Sequence, residues 1–157
     1  MNARAPDLPA LPAEEMLRLD NQVCFALHAT SRAFDALYRS LLRDLGLTYP
    51  QYLVMLTLWE SDGLTVKDLG ARLRLDSGTL SPLVKRLESA GLVERRRGRQ
   101  DERSVSVHLT AEGAALRERA AAVPPRVMEA SGLGTDELRD LRGMLLKLTE
   151  RLDATNA

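Results

Sequence analysis

The strongest constraint on the fold is a change of hydrophobic periodicity within residues 65–110. Apolar side chains recur first at helical spacing and then at every second residue, which is typical of strands. The pattern predicts helices over 65–75 and 77–91 and strands over 92–96 and 105–109. Thr65 is expected to cap the first helix, and Asp76 or Ser77 the second. A chain has few ways to pack two such helices against a two-stranded hairpin.

A further helix and a polar loop complete this pattern. Thr48 or Tyr49 begins a helix that continues to about Ser61, with Pro50 in its first turn. The two strands are separated by the polar segment RRGRQDERS, with Gly98 at its turn. Helix, helix, helix, strand, loop, strand is the order of a winged helix-turn-helix. We therefore expect a mainly α fold with a small β wing and with long N- and C-terminal dimerisation helices.

Long apolar stripes flank this module on both sides. Residues 14–45 carry apolar side chains at three-, four- and seven-residue steps up to Gly46, which predicts a helix roughly 48 Å long. Such a helix is too long for a small globule to cover, so a second copy of the chain is expected to cover it. A last amphipathic helix is predicted from Thr135, after a break at Pro124 and Pro125.

Four segments follow from these patterns. They are a disordered tail over 1–13, N-terminal dimerisation and sensing helices over 14–61, a winged helix-turn-helix DNA-binding module over 62–110, and C-terminal dimerisation helices over 111–157. The tail contains three prolines and no apolar run, so it does not resemble a signal peptide. No apolar stretch reaches the length of a membrane span. A cytoplasmic protein with no membrane partner is expected.

Composition excludes several kinds of site. A single cysteine and two histidines among 157 residues exclude a disulfide framework and a Cys-rich zinc site. We therefore expect no metal, no cofactor and no catalytic residue, and we expect the thiol to be reduced.

The net charge of zero hides a separation of charge along the chain. Residues 65–103 contain ten basic and six acidic residues, a net charge of +4, which leaves −4 on the remainder. A basic segment within a neutral chain is what binding to DNA phosphates requires. The module that resembles a winged helix in its pattern is therefore also the basic part of the chain, and double-stranded DNA is the expected partner.

The helical half of the basic segment predicts contacts with bases. In a helix-turn-helix, the second helix lies in the major groove with its N-terminal residues against base edges. Those residues here are Ser77, Thr79 and Ser81, and Lys85 and Arg86 further along suit bases or phosphates.

The wing supplies a second set of predicted contacts. Arg97 and Arg99 lie at the start of the loop. Arg103, near its end, is expected to enter a minor groove, where narrow A·T tracts concentrate negative potential. Asp101 would orient Arg103 through a charge-assisted hydrogen bond. The alternative interpretation of the arginine run 95–97 is a solvated strand end.

The chain resembles a known family. Similarity to the MarR-family winged-helix regulators is carried by the segment DLGARLRLDSGTLSPLVKRLESAGLVERRRGRQDERSVSVHLTAEG, above all by its wing sequence DERSVSVHLT. Upstream, LDNQVCFALH and LGLTYPQYLVMLTLWE resemble the organic hydroperoxide resistance repressors, a thiol-based branch of that family. The resemblance covers about residues 14–152.

The resemblance implies a redox-sensing function. It implies a dimeric repressor on a pseudo-palindromic operator, released when an organic hydroperoxide oxidises one cysteine, which maps to Cys24. It also implies two tyrosines that bind and polarise the thiolate, which map to Tyr38 and Tyr49. Tyr38 follows Cys24 by 14 residues, about 21 Å along one helix, so the two can meet only if Tyr38 comes from the other subunit.

Two features depart from the family pattern. Some members have a second cysteine that forms an intersubunit disulfide, and this chain has none. Oxidised Cys24 is therefore expected to end as a sulfenic acid, a mixed disulfide with a small cellular thiol, or an over-oxidised acid. His28 stands one turn after Cys24, where relatives tend to have tyrosine. It is either a polar residue on the dimer face or a group that tunes the thiolate.

Within a helix over 14–45, Cys24 would lie beyond the first turn, where the helix dipole gives little help to a thiolate.

Two alternative functions are also compatible with the sequence. One alternative is a MarR-type repressor released by a small aromatic or phenolic ligand. A less favoured one is a thiol peroxidase, against which stand the missing resolving cysteine and the basic wing. We therefore do not expect an enzyme.

Overall fold

The computed structural model describes residues 12–97 and 105–156. The chain divides into two compact units, Met1–Leu37 and Tyr38–Ala157, with the boundary inside a helix. No helix in the described part of the chain is both long and apolar enough to cross a membrane. Each unit is described in turn.

The first unit contains an interrupted helical stretch. Helix α1 is Ala13–Met16, a 3₁₀ turn covers Leu19–Asn21, and helix α2 is Val23–Leu41, which continues into the second unit. The predicted unbroken helix over 14–45 is therefore wrong. The side-chain amides of two residues account for the break: Asn21 Nδ2 donates to the Glu15 carbonyl at 2.7 Å, and Gln22 Nε2 donates to the Met16 carbonyl at 2.6 Å.

These amides take the place of the backbone donors that a continuing helix would supply. Asn and similar residues compete in this way for backbone groups and thereby end helices. The carbonyl of Gln22 then accepts the first hydrogen bond of the new helix, from the amide of Ala26 at 3.2 Å. The break therefore moves the beginning of α2 to Val23, the residue next to Cys24.

The second unit begins with the end of α2 and a capped helix. A 3₁₀ turn covers Arg43–Leu45, and Gly46, with φ of 67°, ends the helical stretch as predicted. Helix α3 is Tyr49–Glu60. The amide of Thr48 donates to Gln51 Oε1 at 2.8 Å, which satisfies a backbone donor at the beginning of α3.

The winged helix-turn-helix follows α3. Its elements are β1 (Leu64–Thr65), α4 (Val66–Leu73), α5 (Ser77–Ser89), β2 (Val93–Arg97) and β3 (Val105–Leu109). The three strands form an antiparallel sheet in the order β1–β3–β2. The prediction of a mainly α fold with a small β wing is confirmed. The sequence predicted only two of the strands, because β1 has two residues and no alternation to detect.

Side-chain caps determine where helices α4 and α5 begin. Thr65 Oγ1 accepts from the amide of Asp68 at 3.1 Å, and Asp76 Oδ1 accepts from the amide of Thr79 at 2.9 Å. The cap of α5 is thus Asp76 rather than Ser77. Pro82 lies inside α5, beyond its first turn.

The core of the second unit lies between α3, α4, α5 and the sheet. Its fully buried side chains are all aliphatic or methionine: Leu42, Val54, Met55, Leu58, Leu69, Leu80, Val84, Leu87, Val93 and Val107. Because Leu80, Val84 and Leu87 bury one face of α5, its opposite face is left to solvent. The core therefore orients the helix that is predicted to read DNA.

Three helices follow the sheet. They are α6 (Ala111–Ala120), α7 (Val123–Ser131) and α8 (Thr135–Asn156). The predicted break at Pro124 and Pro125 is confirmed, because both prolines lie in the first turn of α7. Thr110 Oγ1 caps α6 by accepting from the amide of Gly113 at 3.0 Å.

Gly113 brings α6 into direct contact with the beginning of the wing. A Cβ atom at this position would lie 1.9 Å from the carbonyl oxygen of Leu92, the residue before β2. That carbonyl accepts from the amide of Thr110 at 3.1 Å, and the carbonyl of Gly113 accepts from Trp59 Nε1 at 2.9 Å. Only glycine allows the two backbones to approach so closely.

Gly113→Ala is expected to lower the free energy of unfolding by about 1–3 kcal/mol, because the new methyl group overlaps rigid backbone. Urea denaturation followed by circular dichroism measures the change. Ala114→Ser, on the exposed neighbouring position, is the control and should change stability by only a few tenths of a kcal/mol, about the difference in helix propensity. Equal stability of the two variants would contradict the packing described.

Candidate redox site and nucleic-acid interface

Cys24 is the second residue of α2, and its thiol is exposed. The prediction that it lies beyond the first turn is wrong, because the helix begins at Val23 after the break at Asn21 and Gln22. The first turn of a helix presents unpaired N–H groups and the positive end of the helix dipole. Cys24 lies at this N-terminal end of α2 rather than in its interior.

The surroundings of Cys24 within the first unit are largely apolar and uncovered. Val23, Phe25 and Leu27 are 62%, 44% and 37% exposed. His28, one turn after Cys24, is also exposed. The first unit thus presents the thiol on an open apolar face rather than in a closed cavity.

The second unit brings the two predicted sensing tyrosines together. The ring centroids of Tyr38, on α2, and Tyr49, on α3, lie 4.4 Å apart with an interplanar angle of 34°. Burial, with smaller contributions from Tyr49 and Tyr52, raises the pKa of Tyr38 to about 12. Its hydroxyl is therefore protonated at neutral pH.

Cys24 and Tyr38 lie on the same helix, fourteen positions apart. Cys24 belongs to the first unit and Tyr38 to the second. Supply of the tyrosines by the other subunit stays a prediction.

Two further aromatic residues adjoin the tyrosine pair, and sequence reasoning missed both. Tyr52 is 3% exposed, its ring centroid lies 6.1 Å from that of Tyr38, and burial raises its pKa. Trp59 meets Tyr52 edge-on with centroids 6.4 Å apart. The available signal was spacing: Tyr49, Tyr52 and Trp59 follow one another on α3 at three and seven residues, which places them on one face.

The predicted reading residues of α5 lie on its exposed face. Ser77, Thr79, Ser81, Lys85 and Arg86 are all exposed. The hydroxyl of Thr79 is engaged, since it donates to the carboxylate that caps the helix, at 2.9 Å. These hydrogen bonds lower the pKa of the capping carboxyl, which therefore keeps its charge at neutral pH.

The arginine run in β2 is partly neutralised by carboxylates. Glu88, in the last turn of α5, accepts from the Arg95 amide at 3.1 Å, from its Nε at 2.9 Å and from its Nη2 at 2.6 Å. These contacts lower the pKa of Glu88. Arg96 pairs with Glu94. Within residues 12–97 and 105–156, Arg97 makes no ion pair, and it is exposed.

Arg95 therefore holds the wing to α5. Sequence reasoning missed this role, because Glu88 lies on a helix and Arg95 on a strand, so the spacing rule of a single element does not pair them. Arg99, Asp101 and Arg103, the other predicted wing contacts, lie outside the described residues. Among the residues that the structure describes, no three His, Cys, Asp or Glu side chains are grouped so as to hold a metal ion.

Comparison with known proteins agrees with this geometry. The chain is 46% identical over 140 residues to the organic hydroperoxide resistance transcriptional regulator of Bacillus subtilis, covering 89% of this chain and 95% of that protein. It is 51% identical over 136 residues to the HTH-type transcriptional regulator TtmR of Methylorubrum extorquens, covering 87% and 70%. The chain belongs to the organic hydroperoxide resistance branch of the MarR family of transcriptional regulators.

Solved structures place this regulator in the same group. Reduced AbfR bound to DNA superposes with a TM-score of 0.75 at 37% identity, over 88% of this chain and 96% of that chain. AbfR, a protein of Staphylococcus epidermidis, has also been solved in an overoxidised form bound to DNA, which superposes at 0.74. The family model for the transcriptional regulators SarA/Rot matches residues 36–119 of this chain.

Replacing Tyr38 with phenylalanine is expected to remove the tyrosinate absorbance that develops near pH 12. The folded pKa is raised, so the stabilisation from this group is present below about pH 10 and is lost as the pH rises through about 12. Spectrophotometric titration of both proteins measures the absorbance, and urea denaturation across the same window measures the stability. An unchanged titration curve in Tyr38→Phe would contradict the assignment.

Proposed function

We propose that the chain is a dimeric repressor that binds a pseudo-palindromic operator and is released when an organic hydroperoxide oxidises Cys24. The observation that carries the proposal is the exposed Cys24 thiol in the first turn of α2, in a chain whose relatives are organic hydroperoxide resistance regulators. Exposure gives a peroxide access to the sulfur, which reacts as the thiolate.

Dimerisation is supported by apolar surfaces that the single chain leaves uncovered. In the second unit, the exposed apolar side chains of α8 are Leu141, Met144, Leu145, Leu146 and Leu152. In the first unit, they are Met16, Leu17, Leu19, Val23, Phe25 and Leu27. Exposed apolar surface on this scale marks an interface. A second copy of the chain would cover it and bring the partner's tyrosines to the thiol.

The reaction at Cys24 is a two-electron oxidation. The thiolate attacks one peroxide oxygen, the O–O bond breaks, and an S–O bond forms, which gives a sulfenic acid. The peroxide is reduced to an alcohol, whose oxygen takes up a proton. Tyr38 suits the role of a donor in this step, because its raised pKa keeps the hydroxyl protonated while the sulfur is charged.

The single cysteine directs the later chemistry. With no resolving cysteine in the chain, the sulfenic acid would condense with a small cellular thiol, which releases water and leaves a mixed disulfide on Cys24. Overoxidised AbfR is bound to DNA in its crystal structure. Overoxidation is therefore compatible with DNA binding in that relative, and we infer that the bulkier mixed disulfide is the form that releases this repressor.

Operator binding is assigned to α5 and the wing. AbfR has been solved on DNA with the same fold, which supports the assignment. Ser77, Thr79 and Ser81 would meet base edges, with Lys85 and Arg86 on bases or phosphates. Among the described residues of β2, Arg97 is the arginine with no carboxylate partner in 12–97 or 105–156, and we assign it to a phosphate. Arg99, Asp101 and Arg103 are retained as wing contacts.

Cys24→Ser is expected to bind operator DNA as tightly as the reduced wild type and to stay bound after cumene hydroperoxide, because serine cannot be oxidised. A mobility-shift assay measures binding, and mass spectrometry of wild-type Cys24 in the same samples identifies the product. If organic hydroperoxide releases Cys24→Ser as it does the wild type, the proposed mechanism is wrong. All release assays contain a fixed concentration of small thiol, because the mixed disulfide is the releasing form, and omission of the thiol should prevent release of the wild type.

Arg97→Ala is expected to weaken operator binding and to lower the slope of log affinity against log salt by about one, because one phosphate contact is lost. Arg139→Ala is the matched control, since Arg139 lies on α8 in an ion pair with Asp136. Fluorescence anisotropy at several salt concentrations measures both. Identical slopes for the two variants would remove Arg97 from the interface.

A further inference from the structure

We propose that Trp59 is a positioning residue that transmits the state of the tyrosine pair, Tyr38 and Tyr49, to the DNA-binding wing. The inference rests on the proposed function, because it concerns how oxidation of Cys24 lowers the affinity of the wing for DNA. It is carried by a chain of contacts within the second unit that runs from the tyrosines to β2.

The first part of this chain is aromatic. Tyr38 contacts Tyr49 at 4.4 Å and Tyr52 at 6.1 Å, measured between ring centroids, and Tyr52 meets the edge of Trp59 at 6.4 Å. Tyr52 is 3% exposed. The ring of Tyr52 has Tyr38 as one neighbour and Trp59 as another, and Tyr52 and Trp59 both line a pocket of about 250 Å³. The two rings therefore have room to shift together when Tyr38 or Tyr49 is displaced.

The second part is polar and leads to backbone. Trp59 Nε1 donates to the carbonyl of Gly113 at 2.9 Å. Gly113 in turn lies so close to Leu92 that even a Cβ atom would overlap the Leu92 carbonyl. Leu92 immediately precedes β2, and its carbonyl also accepts from the Thr110 amide at 3.1 Å. A movement of the indole therefore acts on the backbone at the base of the wing.

Tryptophan suits this position because it joins both parts. Its ring edge packs against Tyr52, and its N–H, a donor only, holds a backbone carbonyl fifty-four residues away in sequence. Phenylalanine would keep most of the ring contact and lose the hydrogen bond. The substitution Trp59→Phe therefore separates the ring packing against Tyr52 from the hydrogen bond to the Gly113 carbonyl.

The test compares Trp59→Phe with Thr57→Val and the wild type. Thr57 lies on the same helix and is buried, but its hydroxyl donates to the Leu53 carbonyl within α3, so its loss leaves the contact chain intact. For each protein, the operator affinity of the reduced form, the extent of Cys24 oxidation and the peroxide needed for half release are measured.

Trp59→Phe is expected to bind the operator when reduced and to be oxidised at Cys24 like the wild type. It should need about tenfold more peroxide for half release, a typical size for coupling between two sites. Thr57→Val should be released like the wild type. Wild-type release of Trp59→Phe, or loss of its operator binding in the reduced form, would overturn the inference. Failure of the wild type itself to be oxidised or released would instead refute the proposed function.

A second measurement needs no variant at position 59. Trp59 is the only tryptophan in the sequence, so intrinsic indole fluorescence reports on it alone. Oxidation of the wild type in the absence of DNA should shift the emission of Trp59, and the same treatment of Cys24→Ser should not. Unchanged emission, in a sample whose Cys24 is oxidised by mass spectrometry, would also overturn the inference.

Discussion

The packing of α3 against the helix-turn-helix is the constraint on which the rest of the structure depends. One face of this helix buries Val54, Met55 and Leu58 in the core, next to the apolar faces of α4 and α5. The same helix carries two of the three tyrosines and the tryptophan. A single rigid element therefore orients the reading helix and also holds the aromatic residues, so neither can be displaced without strain on the other.

Local patterns predicted most of the second unit. Helix beginnings at Thr65, Asp76 and Thr110 are determined by side chains three residues or fewer from the amides they satisfy, and such contacts are legible in sequence. The break before Cys24 was missed, because hydrophobic spacing continues through it while Asn21 and Gln22 donate to carbonyls six residues back. Strand β1 forms through its pairing with β3. A pattern of two residues is too short to predict a strand from the sequence.

The candidate site divides in the same way. Cys24, Tyr38 and Tyr49 come from resemblance to a family, and their assignment as sensing residues stays a prediction. The ring contact between the tyrosines joins two helices, and no spacing in the sequence specifies it. The distinction among Arg95, Arg96 and Arg97 likewise required coordinates, because it depends on Glu88 of α5 facing Arg95 and on Glu94 pairing with Arg96 within β2.

The ion pairs of the wing have a consequence for the search along a genome. Two of the three consecutive arginines already have carboxylate partners, so β2 carries less charge than its sequence indicates. Binding to arbitrary DNA depends almost wholly on such charge, whereas an operator also offers base edges to α5. A regulator built in this way would spend less of its time trapped on unrelated sequence and would discriminate its operator at a lower cellular copy number.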